Sequence, residues 1–218
     1  AKENAQTAAN DFTRDGRFSW DAVDQISEAY RRIRNTLRFL LGNVADFDPE
    51  RDGAAPEAML PFDRWALAEL ERTSEDVLKG YRDYEFHVAY QRLVNYCTVE
   101  LSGIYLDGIK VRLYTRPAGS ADRRSAQTTL YAILDALVRM LAPILAFTAE
   151  KAWSAMGTRS AAESVHLLEF APPRPERRDA TLEREWEVVL RARQAVTAEL
   201  ETLRERKVIG SSLAARVE

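Results

Sequence analysis

The stretch Tyr30-Arg-Arg-Ile-Arg-Asn-Thr-Leu-Arg-Phe-Leu-Leu41 combines two properties that rarely share a segment. Apolar residues at Val23, Ile26, Tyr30, Ile33, Leu37, Leu40 and Val44 recur at three- and four-residue steps, which draws one stripe along a long helix. Arg31, Arg34 and Arg38, with Asn35 beside them, fall on another face at nearly the same steps, and Arg32 flanks them. No acidic residue stands between Glu28 and Asp46. A helix of this kind can bury its stripe in a bundle and turn planar guanidinium forks, matched to phosphate, outward. The same spacing also describes a solvated basic face, and spacing alone does not separate the two.

Working outward, 218 residues allow one large domain or a domain with an appendage. That length buries roughly 70% of the unfolded surface without staples. A net charge of -3 and a pI near 5.6 exclude a globally basic nucleic-acid binder, so such a surface must be a local patch. Cys97 is the one cysteine, which excludes an internal disulfide and a cysteine-rich zinc site and fits a reducing compartment. No apolar run has the length of a membrane span, and the first residues lack the apolar core of a signal peptide. The expectation is a soluble, cytoplasmic chain.

Residues 1–19 read as a loosely ordered lead-in. Ser19 is a candidate cap for a first helix from about Trp20 to Leu41, stopped at Gly42-Asn43. Residues 43–61, with Asp48-Pro49, Gly53, Pro56 and Pro61, predict an ordered loop. Asp63 is the expected cap of a second helix with the stripe Leu67, Leu70, Val77, Leu78 and Tyr81. A third helix over 84–106 carries Phe86, Tyr90, Leu93, Cys97, Leu101 and Ile104 in heptad-like steps. Lys110, Arg112, Arg116, Arg123 and Arg124 form a second basic cluster, expected on a loop because Pro117 and Gly119 interrupt the pattern. A fourth helix starts near Ala121 and must break at Pro143. The Pro-rich connection 157–180 holds a short extended run, 165–168. A last helix runs from Thr181 to about Arg206. The pattern predicts an all-α helical bundle over 20–156, and a C-terminal helix with a truncated junction over 181–218.

Catalytic constellations are missing. His87 and His166 have no second ligand at metal spacing. Cys97 falls on an apolar stripe and reads as core. Glu69 and Glu71 read as solvated helix surface, and Trp65, Trp153 and Trp186 as core by default. No glycine-rich phosphate loop occurs.

The wording adds to the periods. YRRIRNTLRFLLGNVADFDP (30–49), LPFDRWALAEL (60–70) and YEFHVAYQRLVNYCTVELSGIYLDGIKVRLYT (84–115) resemble, in order and spacing, the anticodon-binding region of the isoleucyl-tRNA synthetase family, class I aminoacyl-tRNA synthetases. ALVRMLAPILAFTAEKAW (136–153), SVHLLEF (164–170) and KVIGSSL (207–213) continue the resemblance. It implies a fragment of a longer enzyme that activates isoleucine with ATP and Mg and often carries Zn. The family's His-Ile-Gly-His-like and Lys-Met-Ser-Lys-Ser-like signatures are not in this sequence, so no cofactor and no catalysis are expected of the chain alone. The implied partners are the anticodon stem-loop of isoleucine tRNA and the catalytic domain of the same enzyme. The implied RNA contacts are Arg31, Arg32, Arg34, Asn35 and Arg38, then Arg64 and Trp65. One departure is AKENAQTAAN (1–10), where the family has an apolar, tryptophan-containing stretch against the catalytic core. It weakens the expected docking and suggests a truncated or engineered end. A helical interaction module without RNA affinity of its own is the alternative reading.

Overall fold

The first helix, α1, covers Asp21–Asn43. The structure is a computed structural model that describes residues 21–157, 162–211 and 214–216. The expected lead-in and the Ser19 cap lie outside these residues. On α1 the stripe divides. Ile33, Leu37, Leu40 and Val44 are buried, and Thr36 with them, whereas Val23, Ile26 and Tyr30 are exposed, Ile26 to 62%. Period predicts a stripe but not how far the neighbouring helices reach along it.

Residues 43–61 are not the uninterrupted loop the prolines suggest. A short helix, α2, covers Pro49–Asp52, and a 3-10 turn covers Pro56–Ala58. The Asp48 carboxylate caps α2, accepting from the amides of Glu50 at 3.0 Å and Arg51 at 3.4 Å. Pro49 supplies the preset first residue. Helix α3 covers Pro61–Arg82, with Leu60 rather than Asp63 at its cap. Pro61 begins the helix, which carries Asp63 inside the first turn and into the core.

Helix α4, Phe86–Asn95, passes without a break through a π-helical segment, Tyr96–Tyr105, into α5, Leu106–Thr115. The run therefore continues past the expected end at 106. Its core stripe is not heptad-like either. Ala89, Leu93, Cys97, Leu101, Tyr105, Ile109 and Leu113 recur every fourth residue, and all are buried. A straight α-helix turns about 40° too far at each four-residue step, so such a stripe would wind off the core. The i→i+5 winding of the π segment makes a wider turn that falls short of a full circle over four residues. Alternating the two windings keeps the stripe in line, with Tyr105 rather than Ile104 fully buried. The Ser102 hydroxyl donates to the Cys97 carbonyl at 2.7 Å within this segment.

Helix α6, Ala121–Leu141, packs against α1, α3 and α5 and supplies Leu130, Ile133, Leu134, Leu137 and Leu141 to the core. The helix breaks at Pro143 and restarts as α7, Ala146–Ala155. Close approach within this bundle depends on two glycines. A Cβ at Gly80 would stand 3.2 Å from Ala89 Cβ, and one at Gly108 would stand 2.6 Å from the Phe62 ring. The expected extended run at 165–168 is a 3-10 turn, Val165–Leu167, capped by Ser164.

The chain divides into two compact units, Ala1–Arg174 and Pro175–Glu218. The second contains α8, Ala180–Glu205, whose cap Asp179 accepts from the amides of Thr181 and Leu182. On α8 the apolar stripe is largely open, with Val189 exposed. No strand occurs among the described residues, and no described helix is long and apolar enough to cross a membrane.

Candidate nucleic-acid interface

Burial of Ile33, Leu37, Leu40 and Val44 sets the roll of α1, and the opposite face is fixed by it. Arg31, Arg32, Arg34, Asn35 and Arg38 are all exposed. Arg31, Arg34 and Arg38 lie within roughly 60° of one another at 100° per residue. The Arg31 guanidinium pairs with Glu28. The guanidinium groups of Arg34 and Arg38 meet no carboxylate among the described residues. Arg32 lines a groove of about 390 Å³ together with Asp24, Gln25, Glu28, Ala29 and Val94. At the C-terminal end of the row, a Cβ at Gly42 would meet open space beyond its own helix backbone, so a ligand backbone can approach closely.

The second cluster is helix-borne, not loop-borne. Lys110 and Arg112 lie on α5, Arg116 directly follows it, and Arg123 and Arg124 lie on α6. Most of it is used internally. Arg112 grips Asp63 with both prongs, at 2.8 and 2.7 Å. The same carboxylate accepts from Tyr105 Oη at 2.7 Å and Ser125 Oγ at 2.5 Å, with Asp63 fully buried. Burial pushes the Tyr105 hydroxyl well up, with the neighbouring Asp63 charge adding to it. Arg123 grips Asp46 at 2.7 and 3.2 Å and donates to the Leu113 carbonyl at 3.3 Å. Its hydrogen bond holds the Asp46 carboxyl below the usual range. Arg124 reaches Gln127 at 2.7 Å and Asp52 at 3.4 Å. Lys110 and Arg116 remain near water, in pairs with Asp107 and Asp122.

Arg64 is exposed on α3, but Trp65 is 2% exposed and stacks on Phe62 with centroids 5.6 Å apart. Trp65 is therefore core and has no face to offer a base. Glu69 and Glu71, expected on a solvated surface, are buried; Glu69 pairs with Arg72 at 3.0 Å and Glu71 accepts the Arg174 amide at 3.0 Å. The residues present do not fit zinc. Burial pushes the Cys97 thiol up to about 12, and His87 and His166 are exposed on separate elements. No group of three or more potential metal ligands occurs among the described residues.

The family model for the anticodon-binding domain of tRNA ligase matches residues 63–218. The chain belongs to that family. The chain is 50% identical to the isoleucine–tRNA ligase of Syntrophotalea carbinolica over 211 residues, which cover 96% of the chain and 22% of the relative. The corresponding enzymes of Desulforudis audaxviator and Carboxydothermus hydrogenoformans are 50% and 49% identical, over 94% and 96% of the chain. The chain spans about a fifth of the length of the curated relatives it matches.

In this anticodon-binding domain the buried Asp63–Arg112 pair escaped sequence reading, because its partners are 49 positions apart. One signal was present. Arg112 adjoins the every-fourth core positions Ile109 and Leu113, so a solvated arginine there was improbable.

Proposed function

We propose that this domain holds the anticodon stem-loop of an isoleucine tRNA, as the anticodon-binding part of a cytoplasmic isoleucine–tRNA ligase. The observation that carries the reading is the outward row on α1, where Arg34 and Arg38 meet no carboxylate among the described residues. A guanidinium in that state has its full bidentate capacity left for phosphate. ATP, magnesium and, in many members, zinc belong to other parts of such an enzyme, as does the catalytic domain that is this domain's partner. The exposed Ile26 and Phe147 favour a second reading, a helical interaction module without RNA affinity of its own.

Titration of the chain with labelled anticodon stem-loop at increasing salt separates them. With about four phosphate contacts, the logarithm of affinity falls against log salt with a slope of about -3. An RNA binder shows that slope and prefers the stem-loop to an unrelated duplex. An interaction module shows no saturable binding at low salt.

A further inference from the structure

Phosphate contacts position an RNA loop, and its identity is read where an unstacked base lies on a ring. The outward row on α1 has one ring beside it, Tyr30, 38% exposed and one turn before Arg34, while Phe39 is half-buried. Exposed rings among the described residues lie in three places. Phe86 and Phe170 lie against Tyr81 and Tyr84 against Phe86, beside Arg82, Asp83 and Glu85, where Lys79 is already paired with Asp83. Tyr30 and Phe147 adjoin Thr148, where the Tyr30 hydroxyl is already bonded, between Asp24 and Glu28 on one side and Arg31 and Arg34 on the other. Tyr114 stands apart, 64% exposed, with Val111, 69% exposed, one turn before it on the same side of α5.

Tyr114 has a cation on either side. Lys110 lies one turn before it and Arg116 just after it. Their pairs with Asp107 at 2.9 Å and Asp122 at 3.0 Å are open to water, so they are weakly held and exchangeable for phosphate. Its position also fits. The Leu113 carbonyl, next to Tyr114 in the chain, accepts from Arg123, and that guanidinium holds Asp46 in the turn after α1. Tyr114 therefore stands toward the C-terminal end of α1, the end of Arg38 and Gly42, and away from Glu28.

We propose that Tyr114, backed by Val111, is a stacking platform for one unpaired nucleobase of the bound RNA loop, with Lys110 and Arg116 taking the phosphates on either side. The platform presupposes the stem-loop reading above and adds the ring on which one loop base rests.

A stem-loop RNA carrying 2-aminopurine at one loop position at a time is titrated with the whole chain. Stacking quenches the fluorescence at one position. Tyr114→Phe keeps that quench, whereas Tyr114→Ala removes it and weakens binding about ten-fold. The salt slope stays with the parent, because no phosphate contact is lost. The thermal midpoint also stays, since the side chain is mostly exposed, so lost stacking is distinguished from lost fold. Unchanged affinity and quench in Tyr114→Ala overturn the platform and leave the stem-loop reading standing. Equal affinity of the parent for a fully paired duplex without a loop also overturns the platform. A parent chain that binds neither RNA overturns both.

Discussion

Two groups of arginines in this molecule have opposite surroundings. On α1, Arg34 and Arg38 face outward and meet no carboxylate among the described residues. On α5 and α6, Arg112 and Arg123 each hold an aspartate with both prongs, and Arg124 is tied to Gln127 and Asp52. Both groups look basic when counted along the chain. The difference lies in where folding delivers the aspartates: Asp63 and Asp46 meet the second group and neutralise it. A basic cluster in sequence is thus a ligand site only to the extent that the fold leaves its countercharges elsewhere.

The contrast breaks most visibly at Asp63. Replacing it by Ala strands Arg112, Tyr105 and Ser125 at a buried site, and the expected loss is about 3–5 kcal/mol of folding stability. Urea unfolding monitored by circular dichroism checks it; an unchanged midpoint means the pair carries little weight. Ile33→Ala, on the buried side of α1, should cost about 2–4 kcal/mol by the same measurement, while RNA affinity per folded molecule stays with the parent.

Acid tests the Arg123–Asp46 link. The Asp46 carboxyl sits below its ordinary value of 3.8 through the Arg123 hydrogen bond, opposed by burial and helped by Gln127. A depressed folded pKa contributes stability that is present above the unfolded value and disappears as pH falls through the folded one. The urea midpoint should therefore hold from pH 7 toward 5 and fall below 3.8. In Arg123→Ala that acid loss should be shallower; an equally steep fall assigns it to other carboxylates. Asp52 shifts the same way through Arg51 and the Asp48 amide, and Asp122 through Ser120, so some acid sensitivity survives in the variant.

The smallest effect on folding belongs to the outward row. Arg34→Ala with Arg38→Ala should change stability by less than about 0.5 kcal/mol, since exposed charges contribute little. Its signature is in binding, where the salt slope should flatten by about one to two units. If the double variant keeps the parent's affinity and slope, α1 is not the RNA-facing helix, and Lys110 and Arg116, the exposed cations of the second cluster, become the place to test.

Much of the frame was legible beforehand because local chemistry decides it. The stripe of α1, the stop at Gly42-Asn43, the start at Ala121 and the break at Pro143 each depend on a few neighbouring residues. What escaped depends on distant partners. Asp63 in a first turn looks like a cap until Arg112 arrives from another helix. Glu71 looks solvated until the Arg174 amide reaches it. Trp65 carried over as a contact because the resemblance matched its wording, but its face is already taken by Phe62. For the α1 row the sequence supplied the residues and their side of the helix. That no carboxylate among the described residues meets Arg34 and Arg38 needed the three-dimensional arrangement.

The wide-wound segment Tyr96–Tyr105 restricts how this fold can be recombined. Each residue wound as π turns less than one wound as α, and over this segment the shortfall comes to about half a turn. A chimera that joined α4 to α5 through ordinary α-helical residues would keep the length and composition of the long helix. It would present Ile109 and Leu113 to water and swing Arg112 away from Asp63. Grafting or shuffling of this domain must therefore move residues 96–105 as one indivisible block, and a single-residue deletion there should be tolerated less well than many substitutions.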